Sequence, residues 1–146
     1  MGRSPILMQN VRSLIETKKP GVNESDIKLT EEKLGVIFPE QYRELFKLVN
    51  NAEIGEWILY PIKTKINSKK TWDDVVRHNK EVRDERTSED LILIGDDGSG
   101  DILCFKKRNG KLEDTIYLWY QETAELEEYA PNLEQFIIRI FEEYDE

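Results

Sequence analysis

Two four-residue apolar runs, Leu91-Ile92-Leu93-Ile94 and Ile102-Leu103-Cys104-Phe105, flank the connector Gly95-Asp96-Asp97-Gly98-Ser99-Gly100-Asp101. Short bounded apolar runs read as buried strands, and three glycines permit positive φ angles that side chains resist, so the connector joins paired strands tightly. Asn109-Gly110, a strong hairpin signal, then separates the second run from Thr115-Ile116-Tyr117-Leu118-Trp119-Tyr120. A three-strand meander is expected from Leu91 to Tyr120, with strands near 91–95, 102–106 and 115–120. A further initial or edge strand near 56–61 is read from aromatic, β-favouring Trp57-Ile58-Leu59-Tyr60 ending at Pro61.

Helical periodicity surrounds these strands. Val11, Leu14 and Ile15 mark a short leading helix that stops before Lys18-Lys19-Pro20-Gly21. Asp26 is the expected cap of a second helix carrying Ile27, Glu31 and Leu34 and ending at Gly35. Pro39 suits the first position of a third, whose stripe is Tyr42, Leu45, Phe46 and Val49. After a polar loop over Lys63 to Lys70, Thr71 and Asp74 resemble a capping box for a helix with Trp72, Val75, Val76, Asn79 and Val82, ending near Asp84. Asn132 caps a closing helix that buries Leu133, Phe136, Ile137, Ile140, Phe141 and Tyr144 and turns Glu134, Glu142 and Glu143 outward. Helices first, then a largely antiparallel sheet interrupted by one helix, then a closing helix make an α+β fold, expected as one domain over 1–146.

Charge is unevenly distributed along the chain. Residues 1–112 hold 20 Lys and Arg against 19 Asp and Glu, whereas residues 113–146 hold 11 acids against Arg139 alone. The last 34 residues therefore carry −10 of a total of −9. Such a surface repels phosphates and anionic lipid, which argues against nucleic-acid and membrane partners and favours a cationic one. Cys104, the single cysteine, excludes an intrachain disulfide and suits a reducing compartment. With neither a signal-peptide stretch nor a run of about 20 apolar residues, a cytoplasmic location is expected.

Ile27, Glu31, Leu34, Gly35, Phe38-Pro39, Tyr42, Phe46 and Asn50, followed by Trp57 to Pro61, Ile94 through Phe105, Trp119 and the Leu133 to Phe141 helix, resemble the SUKH superfamily in residue type and order. Its members include the yeast Smi and Knr cell-wall regulators and many bacterial immunity proteins, and the resemblance is strongest over 24–142. Phe38 stands where Leu is usual, and Asn51 where the family often has Gly. The resemblance implies an α+β domain without established chemistry, most often encoded beside a secreted toxin, commonly a nuclease, that it neutralises.

The aspartate connector admits several readings. Carboxylates suit hard cations, but a calcium loop counted from Asp96 requires Glu at its twelfth place, where this chain has Lys107. Ser99 as a nucleophile requires a base, and the one histidine, His78, lies on a different expected element. The glycine spacing lacks the lysine of a phosphate loop. Side chains that cap their own turn are the simplest account. Trp57, Trp72 and Trp119 read as core rather than as a ligand cluster. No catalytic residue, metal ligand or cofactor is therefore expected. The expected activity is immunity, in which a cytoplasmic, non-enzymatic protein occludes an electropositive toxin. The candidate contacts are Asp114, Glu122, Glu125, Glu127 and Glu128 for steering, with Asp96, Asp97 and Asp101 as a second contact. A regulatory scaffold is the alternative, and a carboxylate-metal hydrolase built on Asp96, Asp97 and Asp101 a third reading.

Overall fold

A computed structural model describes residues 20–64 and 74–144. The leading helix at Val11 to Ile15, Thr71, Trp72, the Tyr144 side chain and most of the Lys63 to Lys70 loop lie outside the described residues.

Helix α1 spans Glu24–Leu34, and its cap is Asn23 rather than Asp26. Asn23 is extended, its side chain accepts from Asp26 N at 2.9 Å, and its carbonyl accepts from Ile27 N, so the helical ladder starts three residues before Asp26. Gly35 closes the helix in the left-handed conformation at φ 70°, as expected. Glu31 Oε2 then accepts from Phe38 N at 2.7 Å, which ties α1 to the Phe38-Pro39 entry of the next helix. That helix, α2 (Glu40–Leu48), has Pro39 as its cap, one position earlier than expected, because the Pro39 carbonyl already accepts from Tyr42 N and Arg43 N. Phe38, Tyr42 and Phe46 form an aromatic ladder along the buried side.

Two asparagines close α2 onto the sheet. Asn50 donates to Ile62 O and accepts from Ile62 N, both at 2.9 Å, so its amide pairs with the main chain as a strand would. Asn51 stands at φ 59°, a left-handed position where glycine is equally at home, and donates to Leu59 O.

The strands are β1 (Glu53–Ile54), β2 (Trp57–Leu59), β3 (Leu91–Asp96), β4 (Ile102–Arg108), β5 (Lys111–Leu112), β6 (Ile116–Trp119) and β7 (Leu126–Ala130). They form one antiparallel sheet in the order β1-β2-β3-β4-β6-β7, with β5 paired to the far end of β4. The α+β class and the expected strand regions hold, while β1, β5 and β7 are additions. At Asn109 and Gly110, φ values of 54° and 76° make the tight hairpin turn from β4 to β5.

Facing residues locate the core. Phe105 meets Tyr42, and Trp57 and Tyr129 meet Phe136, so α2 and the closing helix α4 (Leu133–Tyr144) cover one side of the sheet. On the other side Leu91, Leu93, Cys104 and Trp119 are also buried, and the Arg86 guanidinium lies 5.3 Å from the centre of the Trp119 ring. Arg83 bonds Thr87, Ser88 and Leu91, fixing the segment that carries Arg86. Trp57 and Trp119 are thus core residues, as read from the sequence.

Helix α3 (Val75–Arg77) has Asp74 as its cap, rather than as the third helical residue of a capping box begun at Thr71, and passes into a π-helical turn over His78–Val82. The wider turn aims the buried Asn79 at β3, where it donates to Leu93 O and accepts from Leu93 N while also bonding Val75 O. Asn132 caps α4 as expected, and Leu133, Phe136, Ile137 and Ile140 are buried. Two expectations for α4 fail. Phe141 is 47% exposed, since it lies one residue beyond the stripe that Ile140 completes, and Glu134 is buried because α2 crosses the first turn, with Gln41 Oε1 accepting from Glu134 N. None of the described helices is long and apolar enough to cross a membrane.

Candidate functional site

The connector between β3 and β4 is built by its own side chains. Asp96 Oδ1 accepts from Gly98 N, and Asp97 Oδ1 accepts from both Ser99 N and Ser99 Oγ. Gly98 and Gly100 take φ values of 85° and 111°, which L side chains rarely adopt. Asp101 reaches across to the next loop, where its Oδ1 accepts from Gln121 N at 3.0 Å. A Cβ on Gly100 would stand 2.1 Å from Gln121 Oε1, a flexible side-chain end that can yield, so it is the φ of 111° that calls for glycine here. Each aspartate is thus engaged with turn or loop amides, in line with Asx chemistry. His78 reaches this region indirectly. Its ring stacks on Tyr60 at 3.5 Å, and the Tyr60 hydroxyl donates to Asp96 Oδ2. Among the described residues, no three His, Cys, Asp or Glu side chains are grouped to hold a metal ion.

The contact between the two loops opens a cleft of about 710 Å³ at this end of the sheet. Asp101, Glu122, Glu125 and Glu127 line it together with Tyr120, Gln121 and Leu126. Tyr120 donates to Glu127 Oε1 at 2.6 Å, and this bond pushes the phenol up to about 12. Four of the eight candidate contacts therefore share one concavity. The others do not. Asp96 and Asp97 sit in the connector without lining the cleft, Glu128 lies further along β7 than the cleft reaches, and Asp114 lies at the far end of β6, in a groove with Arg43, Arg108 and Lys111.

Electrostatic compensation is slight here. Asp114, Glu122, Glu125, Glu127 and Glu128 form no ion pair with any described residue. Arg139, the one cation after residue 112, is spent internally, since it pairs with Glu143, donates to Tyr129 O at 2.6 Å and lies over the Tyr129 ring. Arg108 is 78% exposed and only approaches Glu113 at 3.9 Å. The four carboxylates that line the cleft thus form no ion pair with any described residue. Sequence reasoning did not single out Tyr120, Gln121 and Leu126, which line the cleft; an aromatic strand end followed directly by an acidic loop was the available signal.

A helix-backed antiparallel sheet with an acidic cleft at one end defines the class, an α+β domain. A family model described as SMI1-KNR4 cell-wall (SUKH_5) matches residues 7–142, and the chain belongs to that family within the SUKH superfamily. No curated protein matches it.

Proposed function

We propose that this protein is a cytoplasmic immunity protein that binds a cognate toxin and neutralises it by occlusion, catalysing no reaction itself. The observation that carries this reading is the uncompensated acidic surface gathered around the cleft of Asp101, Glu122, Glu125 and Glu127. A toxin that acts on nucleic acid must present positive charge to phosphates, and an acidic surface competes for that same patch. Occlusion needs surface complementarity and fast encounter, and an acidic cleft favours the second for a cationic partner. The test is growth rescue of cells expressing a toxin encoded beside this gene, with pull-down of that toxin at low and high salt. Rescue with salt-sensitive association supports the reading; failure to rescue, or salt-insensitive association, defeats it.

The cell-wall description attached to the family favours a second reading, a regulatory scaffold for cellular partners. A gene standing alone rather than beside a toxin gene favours that alternative.

A further inference from the structure

The acidic surface continues out of the cleft onto a sheet edge that is covered over only half its length. Strand β7 is last in the sheet order, and no further strand pairs with it among the described residues. Its C-terminal half is closed, because the register shifts between Ile116 and Tyr117, Tyr129 falls in the irregularity, and Arg139 from α4 takes the Tyr129 carbonyl while covering the ring. The N-terminal half, Leu126-Glu127-Glu128, is exposed and opens directly beside the cleft, which Leu126 and Glu127 also line. Unpaired strand edges template pairing with another chain unless something blunts them. Here one half is blunted by a bulge and an arginine, and the other is left open and anionic.

We propose that Leu126–Glu128 and the adjoining cleft form a docking groove for an extended cationic segment of a partner protein, which adds as a strand alongside β7. This deepens the proposed function and rests on its electropositive partner. The geometry also sets the pattern of that segment. Glu127 pairs with Leu118 and Glu128 with Tyr117, neighbouring positions whose side chains leave opposite faces of the sheet. A strand laid beside β7 presents successive residues to those same two faces, so it places basic side chains at adjacent positions, one toward Glu127 and the cleft and the next toward Glu128. Main-chain pairing supplies affinity and the paired charges supply register, as in other strand-addition complexes.

The test uses the full chain and the synthetic peptide Ac-Thr-Val-Thr-Lys-Arg-Thr-Val-Thr-NH2, followed by nuclear magnetic resonance and amide exchange. The expected result is peptide-to-protein contacts along β7, exchange of its outward amides slowed about tenfold at saturation, and loss of both in Glu127→Lys and Glu128→Lys. Asp114→Lys, at the far end of the sheet, retains both, and a Glu-Glu version of the peptide does not bind. Peptide binding without protection of β7, binding unchanged in the two charge reversals, or no binding overturns the groove. Growth rescue reads the toxin hypothesis separately: rescue by a protein that ignores the peptide removes the groove alone, and peptide docking without rescue removes the toxin alone.

Discussion

Asn79 shows how much one side chain can carry. Its amide supplies the pairing that β2 is too short to give Leu93, donating to one main-chain group, accepting from the other and bonding Val75 O as well. Asn79→Ala leaves a buried N–H and C=O without partners, and we expect a loss of about 3 kcal/mol in urea unfolding. Tyr42 is the converse. Its hydroxyl is fully buried and makes no hydrogen bond, and burial drives its pKa upward, so Tyr42→Phe should leave stability unchanged or raise it by up to about 1 kcal/mol in the same assay. Cys104 is buried beneath the Arg86 side of the sheet, and desolvation pushes its thiol from 9.0 up to about 12. Between those values the unfolded chain releases a proton that the native state keeps, so this contribution is complete below pH 9 and declines as pH climbs toward about 12. Wild type should therefore lose stability across that window more steeply than Cys104→Ala, as followed by melting temperature against pH, and the native thiol should resist alkylation at neutral pH.

At the level of elements, what was legible followed local chemistry. Gly35, the Asn109-Gly110 turn and Asn132 announced helix and hairpin ends because each satisfies a backbone demand within a few residues. What stayed hidden depended on distant partners. Strand β7 reads as polar because its middle residues are glutamates, and only pairing with β6 makes it a strand. The π-helical turn and the burial of Glu134 likewise follow from packing against β3 and α2. The cap of α1 lies between these cases, since Asn23 and Asp26 are both good cap residues and only the start of the ladder decides. Asn23→Ala is expected to cost about 1 kcal/mol, against less for Asp26→Ala, whose carboxylate acts only through the helix dipole. Thermal unfolding of the two variants separates them, and the reverse order would place the cap at Asp26.

Across the whole molecule, the acidic tail of the sequence and the acidic cleft of the structure are different statements. Composition located the charge in the last 34 residues, but it could not say that Asp101, from the β3–β4 connector, joins Glu122, Glu125 and Glu127, or that Asp114 is carried to the other end of the sheet. That separation distinguishes a local field from net charge. Fields that steer encounter act within about 10 Å at 0.1 M salt, so a partner approaching the cleft feels the residues lining it far more than those at the opposite end. Glu122→Lys and Asp114→Lys change the net charge equally, yet only the first alters the cleft. If the proposed toxin docks there, Glu122→Lys should slow its association about threefold or more at low salt with a smaller change in dissociation, while Asp114→Lys stays near wild type. Stopped-flow association at two ionic strengths decides the matter. Equal slowing by reversals at the two ends would mean that net charge alone attracts the partner, and the cleft would then have no special part in recognition.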